Sequence, residues 1–195
     1  MDRKWWKESI VYQIYPSSFQ DSDGDGIGDL NGIRSRLDYL KDLGVNVLWL
    51  CPVMDSPMDD NGYDISNYQA INPRFGTMED FDALLAEAHQ RGIRIVMDAV
   101  FNHCSMEMEE FEDVLKNGKE SPYYEWFLID GDYPDPERMN YECFASCNYM
   151  PKLNTANAGV QEFLLKIAAY WIKEADIDGW RLDVSDRSEE HTSES

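Results

Sequence analysis

Apolar positions along this chain follow two rhythms that take turns. Short, nearly continuous apolar runs read as strands buried on both faces: Ser9 to Tyr15, Val45 to Leu50, Ile93 to Val100 and Gly179 to Val184. Between them, apolar residues return every three or four positions, as on one face of a helix. Leu30, Ile33, Leu37, Leu40 and Leu43 mark one such helix, ended by Gly44. A second starts after Thr77, a candidate N-cap with Asp80 three residues on, and runs to about Arg91, before Gly92. A third covers roughly Ala158 to Ala175.

Alternating strands and helices predict a parallel sheet with right-handed crossovers. A doubly wound sheet and a (β/α)8 barrel both satisfy that rule. Polar residues gather just past the strand ends, at Asp21 to Asp29, Asp59 to Asp64, Asn102-His103 and Asp183. Barrels carry their chemistry on that rim. No Gly-rich phosphate loop follows the first strand; its glycines alternate with aspartates, which repel phosphate. Residues 104–155 are too long for a structureless loop in a compact domain, and their prolines and aromatics suggest a small subdomain over the rim.

The length, 195 residues, suits one domain or slightly more. Acidic residues number 38 against 17 basic, a formal charge of −21. A field of that sign disfavours nucleic acid and anionic lipid as partners. No apolar run approaches a membrane span, and the opening residues do not form a secretory signal. The chain therefore reads as cytoplasmic, with Cys51, Cys104, Cys143 and Cys147 as free thiols. Only Cys143 and Cys147 are close in sequence, and no second pair or His cluster completes a zinc pattern.

Three constellations could carry chemistry. Asp21, Asp23, Asp25 and Asp29 occupy positions 1, 3, 5 and 9 of a loop with Gly26 at 6 and the Ile27 carbonyl at 7. That spacing wraps hard oxygens around a cation, and Ca2+ fits better than Zn2+ or Mg2+. Position 12, a Glu in an EF-hand, is Gly32 here, so this is a calcium-type loop on another fold. Arg181 and Asp183 are two apart on a strand and share a face, where the guanidinium would keep the carboxylate ionised for nucleophilic work. Asp98, Asn102 and His103 follow the third strand, and Tyr63 offers a flat ring beside Asp64.

The segments YQIYPSSFQDSDGDGIGDLNGI, NGYDISNY, FGTMEDF, DAVFNH, MPKLN and DGWRLDV together resemble the α-amylase family of glycoside hydrolases, family 13, from about Trp5 to Asp186. The resemblance implies the N-terminal half of a (β/α)8 TIM barrel with a small subdomain inserted after the third strand. It implies barrel units over 1–103, the inserted subdomain over 104–155, and the third helix and fourth strand over 156–186. It implies retaining chemistry on α-glucosidic bonds, with an oligosaccharide as the partner. Matched position by position, Asp183 falls on the nucleophile and Arg181 on the arginine beside it. Tyr63, Asp64, His103, Asp98 and Asn102 fall on substrate-binding or supporting positions. Asp21, Asp23, Asp25, Ile27 and Asp29 fall on the structural calcium loop of the oligo-1,6-glucosidase branch. Met150 to Asn154 and Val184 are closer to neopullulanase and cyclomaltodextrinase. A small maltooligosaccharide or isomaltooligosaccharide is the expected substrate.

A retaining glycosidase also needs an acid roughly 5–5.5 Å from its nucleophile. In the family it is a Glu ending the fifth strand, and this chain stops after the fourth, so the chain alone is expected to be inactive. Residues 187–195 leave the family pattern and read as a non-native tail; one back-translation resembles a sequencing adapter. A glucosyl transferase or trehalose synthase-like isomerase would use the same scaffold. A non-catalytic relative would usually lack the nucleophile and calcium ligands that this chain keeps.

Overall fold

A computed structural model describes residues 4–185. The proposed tail and Asp186 lie outside the described residues. The described chain divides into two compact units. The first takes in the chain up to residue 53, then 70–98 and 170–181; the second takes in 54–69, 99–169 and 182 onward.

The first unit carries a four-stranded parallel sheet: β1 (Val11–Ile14), β2 (Val47–Leu50), β5 (Arg94–Ala99) and β6 (Gly179–Leu182), in the spatial order β1-β2-β5-β6. Val11 stands opposite Val47, and Val47 opposite Arg94. Strands joined only through crossovers and laid side by side in chain order are the first four strands of a (β/α)8 barrel.

A short turn of helix, α1 (Pro16–Phe19), follows β1. The apolar stripe from Leu30 to Leu43 forms two helices, α2 (Leu30–Ser35) and α3 (Leu37–Asp42), in place of the single helix expected. At Arg36 the backbone leaves helical geometry (φ −105°, ψ 5°) and its N–H tightens onto the Ile33 carbonyl at 3.0 Å. Leu37 and Leu40 remain fully buried past the break, so the period survives while the helix does not. Gly44 and Gly92 stop their helices at φ +88° and +72°, a region open to glycine.

Helix α4 (Met78–Gln90) begins as the sequence predicts. Asp80 N donates to Thr77 Oγ1 at 3.2 Å, and Thr77 N donates to Asp80 Oδ2 at 2.9 Å, closing a capping box. Asp80 also accepts from Asn31 Nδ2 at 2.8 Å, tying α4 to α2. Phe81, Leu84 and Ala88 turn inward, and Phe81 meets Trp171 edge-on at 5.3 Å. Each large side chain fully buried this way stabilises the fold by about 1.5–3 kcal/mol.

The second unit holds the short strand β3 (Met54–Asp55), paired with β4 (Asn67–Ile71), which continues into the first unit, and helix α5 (Glu109–Asn117). The insertion is ordered around Phe111, with Phe127 at 4.7 Å and Tyr141 at 5.2 Å. Its last stretch returns as an antiparallel bridge: Leu153 N donates to Asn102 O at 2.9 Å, and Cys104 N donates to Pro151 O at 3.1 Å. The MPKLN segment thus lies against the residues that follow β5. Helix α6 (Ala158–Lys173) then leads to β6. No described helix is long and apolar enough to cross a membrane.

Candidate active site

In the first unit, the end of β5 presents a buried carboxylate. Asp98 has no exposed side-chain surface. Arg181 Nη1 donates to its Oδ1 at 2.7 Å, and Trp49 Nε1 donates to its Oδ2 at 2.7 Å. The Arg181 guanidinium lies 4.6 Å from the centre of the Trp49 ring. A buried carboxylate is tolerable only when paired in this way, and the ring adds a cation–π contact. Strand alternation set Arg181 beside Asp183. Arg181 forms an ion pair with Asp98; β6 ends at Leu182, and Asp183 begins the turn that follows. The next residue, Val184, has φ 49°, an uncommon value for a β-branched side chain. Trp49 had read only as part of a buried strand.

In the second unit, His103 is fully buried and stacks on Phe144, with centroids 4.4 Å apart and planes 10° from parallel. Asn102 Nδ2 lies 3.3 Å from its Nδ1, and Tyr68 donates to its carbonyl at 2.9 Å. Burial pushes the imidazole pKa down to about 4, against the opposing pull of Asp183, the Tyr63 main chain and Asp64. The ring is therefore neutral near pH 7. Its Nε2 is buried and makes no hydrogen bond of ordinary geometry. A neutral imidazole with one nitrogen spare can serve a sugar hydroxyl as donor or acceptor.

The carboxylates beside it come from the loop after β3 and from the turn after β6. Asp64 is buried and accepts from Ser56 Oγ at 2.8 Å, Asp59 N at 2.9 Å and Asp60 N at 3.2 Å. Asp183 is anchored through its main chain, N donating to Ala99 O at 3.2 Å. Partial burial, followed by the charges of Asp64 and Asp183, raises the pKa of Asp60. Tyr63 is half-buried, its N–H donated to Asp60 O at 3.0 Å. Of the residues predicted for substrate, Tyr63, Asp64, Asn102, His103 and Asp183 belong to this unit; Asp98 and Arg181 belong to the first. Sequence reasoning missed Phe144 and Asp60. Phe144 had no local signal, whereas the Asp59-Asp60 pair was visible as an acidic step past a strand.

The acidic loop of the first unit is only partly gathered. Asp21, Asp23 and Asp29 offer carboxylate oxygens all within 4.8 Å of one another. Asp25 lies outside that trio and accepts from Ile27 N at 2.7 Å. Asp21 accepts from the N–H groups of Gly24 and Gly26, which hold its pKa below the usual carboxylate range. Asp29 also caps α2, accepting from Gly32 N at 2.6 Å. Three convergent hard oxygens suit a calcium-class cation.

The "Alpha amylase, catalytic domain" family matches residues 13–194. The oligo-1,6-glucosidase of Halalkalibacterium halodurans is 46% identical over 202 residues, covering 94% of this chain and 36% of that protein. The glucan 1,6-alpha-glucosidase of Streptococcus pneumoniae serotype 4 is 46% identical over 199 residues, covering 95% and 37%. Among solved structures, the ligand-free cyclic alpha-maltosyl-(1→6)-maltose hydrolase of Arthrobacter globiformis superposes with a TM-score of 0.88 at 39% identity, covering 96% of this chain and 46% of that one. The chain thus spans little more than a third of these two curated relatives. Motifs, parallel strand order and relatives agree: the chain belongs to the α-amylase family, within its catalytic domain.

Proposed function

We propose that this chain is the nucleophile-bearing part of a retaining hydrolase that cleaves α-glucosidic bonds in small maltooligosaccharides or isomaltooligosaccharides. Asp183 is the nucleophile, attacking the anomeric carbon to give a covalent glycosyl intermediate that water then releases. His103, with Asn102 beside it, binds a hydroxyl of the sugar undergoing cleavage, and Tyr63 offers the ring on which that sugar stacks. Asp64 holds the surrounding loop, and in the first unit Arg181 holds Asp98. The proton for the leaving oxygen comes from an acid that the proposal places outside this chain. The observation that carries the reading is the buried, neutral His103 with an unpaired Nε2, close enough to Asp64 and Asp183 to feel both charges.

We further propose that Asp21, Asp23 and Asp29, with Asp25 and the Ile27 carbonyl, hold one structural Ca2+. The ion would neutralise crowded carboxylates next to α2 and take no part in bond cleavage.

The test extends the chain to the length of its relatives and assays a nitrophenyl α-glucoside. Asp183→Asn should lower kcat by several orders of magnitude and prevent trapping of the glycosyl intermediate. A variant that keeps wild-type turnover removes Asp183 from the mechanism. The chain alone should show no turnover; hydrolysis that Asp183→Asn abolishes would place the acid within it.

A further inference from the structure

Asparagine followed by glycine is prone to lose its side-chain amide, because glycine leaves the next main-chain nitrogen unhindered. This chain has three such steps, at Asn31-Gly32, Asn61-Gly62 and Asn117-Gly118, and the fold treats them differently. Asn31 Nδ2 donates to Asp80 Oδ1 at 2.8 Å, and Gly32 N donates to Asp29 Oδ1 at 2.6 Å in the first turn of α2. Asn117 Nδ2 donates to Asp113 Oδ1 at 2.9 Å, and Gly118 N donates to the Val114 carbonyl. Both of those asparagines are half-buried. Asn61 is exposed, and neither its side-chain amide nor the Gly62 N–H has a hydrogen-bond partner among the described residues.

Asn61 and Gly62 are the central residues of a tight turn, with φ of 54° and 96°. One main-chain bond closes it: Tyr63 N donates to Asp60 O at 3.0 Å. The turn therefore ends on the ring assigned above to the sugar.

We propose that Asn61 is a spontaneous deamidation site whose isoaspartyl product opens this turn and releases Tyr63. The chemistry at Asn61 stands independently of the glycosidase reading; any effect on sugar binding rests on it.

The Gly62 nitrogen, its proton lost to base, attacks Asn61 Cγ. A bond from that nitrogen to Cγ forms, the bond from Cγ to Nδ2 breaks, and ammonia leaves with a proton. Water then opens the resulting five-membered imide. Addition at Cγ gives Asp and restores the original main chain. Addition at the main-chain carbonyl carbon gives isoaspartate, whose chain runs through Cβ and Cγ. Nothing is oxidised or reduced: one amide and one water become a carboxylate and ammonium. The extra main-chain carbon falls between Asp60 and Gly62, inside the turn that the 3.0 Å bond closes. Either product also adds a negative charge beside Asp59, Asp60 and Asp64.

The test ages the folded chain in mildly alkaline buffer made with oxygen-18 water, then digests it with trypsin in ordinary water. Cleavage after Lys41 and Arg74 releases 42–74 with Asn61, while Asn31 leaves in 8–34 and Asn117 in 117–119. Fragment ions should place the heavy oxygen on residue 61, in both Asp and isoaspartyl forms. Asn31 and Asn117 should react at least about tenfold more slowly, because each must first open locally. In urea all three should react. An unlabelled residue 61 in folded protein, under conditions that label it in urea, overturns the site, as does equal labelling of all three in folded protein. A second readout follows amide exchange at Tyr63 by NMR. Exchange should quicken in the isoaspartyl form and stay slow in Asn61→Asp, which carries the charge without the extra carbon. Equal Tyr63 protection in both overturns the release of Tyr63. Neither readout involves a sugar, so failure here leaves the glycosidase reading intact, and the converse holds.

Discussion

Arg181 on β6 holds Asp98 on β5 through a 2.7 Å ion pair, and the carboxylate it holds is entirely out of solvent. Removing one partner of such a pair leaves an uncompensated charge in the interior. Arg181→Met should cost about 3–5 kcal/mol, read as a lower urea midpoint. Asp98→Asn, which still offers an acceptor to Trp49, should cost less. A loss below about 1 kcal/mol for Arg181→Met would mean that water reaches the carboxylate.

His103 predicts a pH dependence. Its folded pKa of about 4 lies below the ordinary histidine value near 6.5. Folding therefore favours the neutral ring. The stabilisation is complete above pH 6.5, falls as pH drops from 6.5 towards 4, and levels off below that. The full span is worth about 3 kcal/mol. Denaturant midpoints across this window should decline, and His103→Gln should flatten the part of the decline that belongs to this ring. An unchanged slope in that variant assigns the decline to other groups.

Gly32 is where an EF-hand would place its Glu, and the fold has no room for one. A Cβ there would stand 1.8 Å from the Gln20 carbonyl oxygen. Gly32→Ala should destabilise by about 1–3 kcal/mol through backbone displacement. Gly44→Ala meets no neighbouring atom and suffers only its φ of +88°, a cost of about 1 kcal/mol. Thermal unfolding of the two variants should rank them in that order.

Calcium should raise the unfolding temperature, and EDTA should reverse the rise, because a ligand that binds only the folded state stabilises it by mass action. Asp21→Asn and Asp23→Asn should abolish the response. Asp29→Asn keeps a good N-cap residue and should lose calcium affinity without losing α2. Asp25→Asn should have the smallest effect, since its carboxylate lies outside the gathered trio. A chain indifferent to calcium in all forms would leave the loop an acidic turn.

Local chemistry made part of this protein legible in its sequence. The strand runs, the Thr77–Asp80 capping box and the stops at Gly44 and Gly92 depend on neighbours a few residues away, and the structure places them where periodicity predicts. The residues after each strand end were legible for the same reason. The break at Arg36 was not, because Leu37 and Leu40 keep their apolar period across it. Partnership was not legible either. The sequence does not say where β6 ends, nor that Asp98 on β5 reaches the Arg181 guanidinium, because both depend on the register of separate strands. The stacking of Phe144 on His103 arises from an insertion folding back on itself, and no spacing encodes that contact. Sequence specified which groups are present and on which elements; only tertiary packing determined which of them meet, because side-chain direction and burial are set by residues distant in the chain.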